Sequence, residues 1–178
     1  MNPFENLVHT FRELVGQVPE LVQPLVVLLA GAVPFVEGEG AAVVGILGGV
    51  HPLLAGLGAA LGNFAAVTVV VLLSARARSA VTRRGASNDG EDVVLSSADA
   101  RPVSKGRARF QRWLVRFGVP GASILGPLAI PTQFTSAILV AGGTGLRWVL
   151  LWQAVAILLW TTVATLSAWG AVTLVVGG

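Results

Sequence analysis

Residues 32–49 read AVPFVEGEGAAVVGILGG, and residues 129–143 read AIPTQFTSAILVAGG. Each is an apolar run broken at a proline and closed by Gly-Gly. The first break carries two carboxylates, Glu37 and Glu39; the second carries Thr132, Gln133, Thr135 and Ser136. Whether these stretches cross a membrane or fold back within it decides the architecture. In the first, the arms flanking Pro34 are about 15 and 13 residues, or ~20 Å each at 1.5 Å per residue, against a hydrocarbon core of ~30 Å. In the second, the arms flanking Pro131 are about 13 and 12 residues, equally short. Short arms joined at a Gly/Pro break predict re-entrant hairpins. Irregular backbone at membrane depth is tolerated only when protein buries it or when it lines a cavity. The alternative is four spanning helices kinked at proline.

The surroundings favour a membrane. The chain is 54% hydrophobic and 12% charged, where soluble domains are about 25% charged. Leu53–Leu73 is uninterrupted but for Asn63 and Thr68, and Trp148–Val176 is a second long apolar run. Both predict transmembrane helices, the latter long enough to tilt. The pairs Gly58/Gly62 and Gly45/Gly49 offer small surfaces for close helix contact. Residues 74–116 hold ten of the twelve basic residues and four acidic ones, a net of +6. The positive-inside rule places this loop in the cytoplasm.

Two further segments are amphipathic. Asn2-Pro3 opens a helix signal, and Phe4, Leu7, Phe11, Leu14, Val15 and Val18 recur at helical spacing. In Lys105–Phe117, Phe110, Trp113, Leu114 and Phe117 form a stripe flanked by Arg109, Arg112 and Arg116. That suits a membrane surface with anionic lipids.

The order of features then repeats: amphipathic helix, Val-Pro, apolar arm, proline break, apolar arm, Gly-Gly, long helix. The predicted fold class is an all-α integral membrane protein built as one domain. It has a first repeat over 1–76, a flexible basic cytoplasmic loop over 77–104 and a second repeat over 105–178. One full crossing separates the halves, so the repeat is inverted and two hairpins meet near mid-depth from opposite faces. Inverted repeats with broken elements at mid-depth are a transporter pattern.

Several chemistries are disfavoured. There is no cysteine, so no disulfide or thiolate site exists. His9 and His51 are far apart and form no metal-ligand spacing. No P-loop is present, and Gly38-Glu39-Gly40 lacks the third glycine of a dinucleotide fingerprint. No nucleophile–base pair is visible, so no enzyme, metal or cofactor is expected. The basic loop accounts for the high isoelectric point without nucleic acid.

The carboxylates are the costly feature. A charge at bilayer depth costs ~2.5–3.5 kcal/mol on insertion scales, and burial with a like charge nearby favours the neutral acid. Residues two apart diverge on a helix, whereas a Gly-flanked break lets them converge. Glu37 and Glu39 are therefore the candidate proton- or cation-binding pair. Asn63, Pro34, Pro131, Thr132, Gln133, Thr135 and Ser136 are the candidate substrate-lining residues. A competing reading for the pair places both carboxylates at an outer surface as ordinary hairpin-end groups; for Gln133 and the hydroxyls, the alternative is service to the backbone freed around Pro131.

Phe117-Gly118, the stretch GPLAIPTQFTSAILVAGG (126–143) and GAALGN (58–63) resemble the DedA/VTT membrane superfamily. They are most similar to its bacterial branch of small multidrug export proteins. The resemblance covers roughly residues 20–76 and 110–176. It implies an inverted repeat with two re-entrant hairpins in a bacterial inner membrane. It also implies that the hairpin acids correspond to Glu37 and Glu39. Members of the wider superfamily move polyprenyl-phosphate carriers or scramble lipids. Their second hairpin carries arginines where this chain has Leu128 and Phe134. The expected function is proton-coupled transport of a cationic or amphipathic small molecule. A lipid flippase and a non-transporting subunit of a membrane complex are the alternatives. The expected partners are the lipid bilayer, protons and that substrate; a homo-oligomer or another membrane protein is compatible.

Overall fold

A computed structural model describes residues 17–86 and 118–176. Arg109, Arg112, Trp113 and Arg116, and nearly all of the N-terminal amphipathic segment, lie outside the described residues. The described residues are all-helical, with no strand. The elements are α1 (Gln23–Gly31), α2 (Glu37–Leu47), α3 (Pro52–Ala86), α4 (118–125), a 3-10 turn (Gly126–Leu128), α5 (Thr132–Ala141) and α6 (Leu146–Val176).

The long helices are α3, with 35 residues, and α6, with 31. At 1.5 Å per residue they reach ~52 and ~46 Å. Their stretches Pro52–Ala80 and Leu146–Leu174 are long and apolar enough to cross a membrane. Only 33% and 28% of their most apolar windows is buried within the protein. The outward faces carry exposed Leu53, Leu57, Leu61, Leu158 and Leu166, an apolar surface of the kind that meets a membrane or another protein. Helix α3 also continues past the expected end of the span at Leu73, through residues first assigned to the basic loop. The segment Ala75-Arg76-Ala77-Arg78-Ser79-Ala80 explains this: alanine and arginine are strong helix formers, and nothing there breaks the ladder.

The short helices are shorter than the expected arms: 9 residues in α1, 11 in α2 and 10 in α5. Most of the missing residues lie at the outer ends: 19–22 precede α1, and Gly48-Gly49 and Gly142-Gly143 form the turns after α2 and α5. The first break, between α1 and α2, contains two non-glycine residues at positive φ, Phe35 (71°) and Glu37 (52°). The second ends at Pro131 in an extended conformation (ψ 144°).

The two Gly-Gly turns are built alike. Gly48 and Gly142 cap α2 and α5 with right-handed backbone (φ −70° and −72°). Gly49 and Gly143 follow at φ 93° and 96°, where a side chain would be strained. Val50 N donates to Gly45 O, and Thr144 N to Leu139 O, so each helix end is closed by the same wrap-back bond. The sequence match at these positions is a match in backbone.

Packing depends on missing side chains. A Cβ on Gly62 would run into the Leu28 carbonyl, and one on Gly31 into the Ala59 carbonyl. One on Gly58 would lie 3.0 Å from Pro24 O. Helix α1 therefore lies backbone to backbone on α3, which gives Gly58 and Gly62 their use. Gly45 faces Val27 and Ala55, seating α2 against α1 and α3. Gly56 meets Thr165, while Gly143 meets Arg78, so α3 and α6 run antiparallel.

Two apolar clusters result. One joins Val27, Ile46, Leu47, Ala55, Ala59, Ala168 and Val172. The other joins Val67, Val71, Leu139, Val140, Val149 and Ile157. Along α3, Asn63 falls between them; along α6, Thr161 does. A polar layer divides the core at that level.

Gly62→Ala is expected to lower stability by about 1–3 kcal/mol through overpacking, read as a lower unfolding temperature in detergent. Gly170→Ala, whose Cβ would meet nothing within 4 Å, is expected to raise stability by up to ~1 kcal/mol through helix propensity.

Candidate functional site

The polar layer is built from three helices. Glu37 opens α2, Thr132 opens α5, and Asn63 sits about a third of the way along α3. Thr132 donates its backbone N–H to Glu37 Oε1, and its hydroxyl oxygen lies within hydrogen-bond distance of the same Oε1, at 2.7 Å. Thr132 Oγ1 is also 3.0 Å from Asn63 Oδ1, and Gln133 Nε2 donates to that oxygen at 3.2 Å. Glu37 is 7% exposed, Gln133 4%, and Asn63 and Thr132 are fully buried.

The reason for this join is local. The first N–H groups of a helix have no intrahelical acceptor and carry the positive end of its dipole. Helix α5 has no side-chain cap of its own, because Pro131 stands where a capping residue would. The Glu37 carboxylate, 95 residues away in sequence, takes that place. Each group solves the other's problem: the buried acid receives donors, and the helix end receives an acceptor.

The remaining candidates separate. Thr135 Oγ1 donates to Pro131 O and Ser136 Oγ to Thr132 O. Both hydroxyls serve their own helix's first carbonyls, as the backbone alternative expects. Pro131 is buried beneath them, while Pro34 is exposed on the opposite tip. The tips also touch through Phe35 and Phe134, with ring centroids 6.1 Å apart.

Glu37 and Glu39 occupy the first turn of α2 and do not converge on one partner. Glu37 turns into the protein; Glu39 stays partly exposed. Both line a cavity of about 250 Å³, with Phe35, Val36, Gly40, Pro127, Leu128 and Trp160. Trp160 is held by its indole N–H on Ile124 O at 2.8 Å. Leu128 puts an apolar side chain on this wall. Among the described residues no cation supplies a counter-charge in the layer. Along α3, Arg76 is ~20 Å from Asn63, and along α6, Arg147 is ~20 Å from Thr161.

Some buried polar residues were not anticipated. Gln153 and Ser123 are fully buried and Thr161 nearly so. The Gln153 amide, Ser123 Oγ, Thr161 Oγ1 and Asn63 Nδ2 find no hydrogen-bond partner among the described residues. Thr161 lies against Gly38, beside the carboxylate. It also borders an apolar groove of about 480 Å³ between α3 and α6, which runs from His51 to Trp169. The usable signal was polarity within an apolar span, a default pointer to function. It singles out Gln153 and Thr161 in α6 as well as Asn63 in α3.

A carboxylate, a hydroxyl and two amides in a buried layer beside a cavity can bind and release a proton or hold a small cation. Asn63→Leu is expected to cost about 1–3 kcal/mol, because Gln133 Nε2 loses its acceptor in a buried site. Thr135→Val, which removes one bond to a local carbonyl, is expected to cost about 0.5–1.5 kcal/mol. Thermal unfolding of the two variants in one detergent checks the ranking. No family model matches this chain, and neither does any curated protein or solved structure.

Proposed function

We propose that this chain is an integral membrane transporter of the bacterial inner membrane, and that Glu37 exchanges a proton for a cationic or amphipathic small molecule. The observation that carries the reading is the bond between Glu37 and Thr132. It joins the tips of two broken segments, one from each half, in the polar layer between two apolar clusters.

Four features support it. The order short helix, break, short helix, Gly-Gly turn, long helix occurs twice, and the long helices are antiparallel. That is the arrangement of an inverted repeat with two re-entrant hairpins, in the manner of DedA/VTT proteins. The polar layer then falls at mid-depth, with residues 74–116 on the cytoplasmic face. The cavity beside Glu37 and Glu39 gives a path for the exchanged species. Leu128 and Phe134 leave both carboxylates without an internal arginine, which suits a proton or a cation better than a phosphate.

A lipid flippase is the second reading. The apolar groove between α3 and α6 favours it, because a lipid chain fits such a surface.

Purified protein in liposomes separates the two. With a cationic dye as substrate, dye-coupled proton flux is expected in the wild type and at the level of empty liposomes in Glu37→Gln. Glu39→Gln is expected to retain part of the flux. Leu128→Arg is expected to suppress it, by placing a fixed cation on the cavity wall. Movement of a short-chain polyprenyl phosphate, indifferent to a proton gradient and to Glu37→Gln, would contradict the transport reading and favour the flippase.

A further inference from the structure

The Thr132 hydroxyl has one proton and three oxygens facing it: Glu37 Oε1 at 2.7 Å, Asn63 Oδ1 at 3.0 Å and Gln133 Oε1 at 3.5 Å. It can serve one of them at a time. Asn63 Nδ2, on the same fully buried side chain, has no partner among the described residues. We propose that Thr132 is a relay that reads the charge on Glu37 and sets the orientation of the Asn63 and Gln133 amides, so that the carboxylate on α2 is coupled to the contact between α3 and α5.

The two states follow from counting donors. With Glu37 ionised, a charge-assisted bond is the stronger one, so the hydroxyl proton goes to Oε1. The hydroxyl oxygen then faces Asn63 Oδ1 with no proton between them. Rotating the Asn63 amide removes that conflict. Nδ2 now donates to Thr132 Oγ1 and gains the partner it lacked. Gln133 must turn with it and present Oε1 to the second N–H of Nδ2.

When a proton from the cavity binds Glu37, the neutral acid donates to Thr132 Oγ1. The Thr132 hydroxyl keeps its proton and donates it in a hydrogen bond to Asn63 Oδ1, which also accepts from Gln133 Nε2, the amide orientation seen in this structure. The net change is one proton gained by the carboxyl group; no covalent bond other than its O–H is made. The backbone N–H of Thr132 stays on Glu37 Oε1 throughout, so the tips remain joined while the amides turn.

Few other charges face this switch. Glu39 is the only other titratable group in the first turn of α2. Helices α1, α4 and α5 and the 3-10 turn contain none. The arginines of α3 and Arg147 of α6 begin ~20 Å away along their helices. The relay rests on the transport reading only in that Glu37 must take up and release a proton.

The test needs no substrate. The full chain, with ¹⁵N-labelled Asn and Gln and ¹³C-labelled Glu, is placed in lipid nanodiscs and titrated by NMR. The Asn63 and Gln133 side-chain NH₂ signals are expected to shift together, with the midpoint of the Glu37 carboxyl carbon. In Thr132→Val the Glu37 titration is expected to persist while the Asn63 shift is lost, and Thr132→Ser is expected to restore it. In Glu37→Gln the Asn63 signal is expected to be independent of pH. If Thr132→Val does not fold, that last variant decides alone.

A static Asn63 signal while Glu37 titrates would overturn the relay. So would an Asn63 shift undiminished in Thr132→Val, one that survives in Glu37→Gln, or a Glu37 that does not titrate. A working relay without flux in liposomes refutes transport alone; flux with a static Asn63 refutes the relay alone.

Discussion

Everything at the centre of this molecule depends on one carboxylate capping a helix from another half of the chain. A buried acid without donors is costly, and so is a helix start without acceptors. Glu37 and the Thr132 backbone cancel both costs in one contact. The contact also holds an otherwise unfavourable backbone. Phe35 and Glu37 sit at positive φ, a conformation that costs about 1–3 kcal/mol each in a non-glycine residue. Such outliers persist where surrounding structure over-determines them, and here the surrounding structure is the opposite tip.

The glycines make the meeting possible. Gly58, Gly62 and Gly31 let α1 and α3 approach at backbone distance, while Gly38 lets α2 lie against Thr161. Closeness on that scale buries Asn63 and Thr132 completely. A low-dielectric layer strengthens each hydrogen bond made there and raises the cost of each one missed. Asn63 Nδ2 and Thr161 Oγ1, between the two apolar clusters, and the Gln153 amide, at the level of the second, find no hydrogen-bond partner among the described residues and carry that cost.

The sequence carried much of this, for identifiable reasons. Proline and Gly-Gly punctuate both halves, so the breaks and turns were legible, as was the match between them. Asn63 stood out as the amide in an apolar helix, and Thr132 and Gln133 as the polar residues after the second proline. Composition shows which residues stand at a break, but not which of their atoms meet. The pairing of Glu37 with Thr132 spans 95 residues and follows from packing. So does the inequality of Glu37 and Glu39, two neighbours of one type placed on different sides of a helix turn. Thr135 and Ser136 were indistinguishable in sequence from Thr132, yet they bond their own backbone. The extension of α3 beyond Leu73 was hidden because charge was read as loop, although arginine and alanine favour helix.

The central claim is that the two broken segments meet tip to tip within one molecule. The chain has no cysteine, so a pair introduced at Phe35 and Phe134, whose rings are 6.1 Å apart, reports only on that meeting. In membranes, a short bifunctional thiol reagent should link Phe35→Cys/Phe134→Cys within the monomer and leave Phe35→Cys/Leu146→Cys unlinked. A failure of the first pair to link, or linkage only between molecules, would contradict the account.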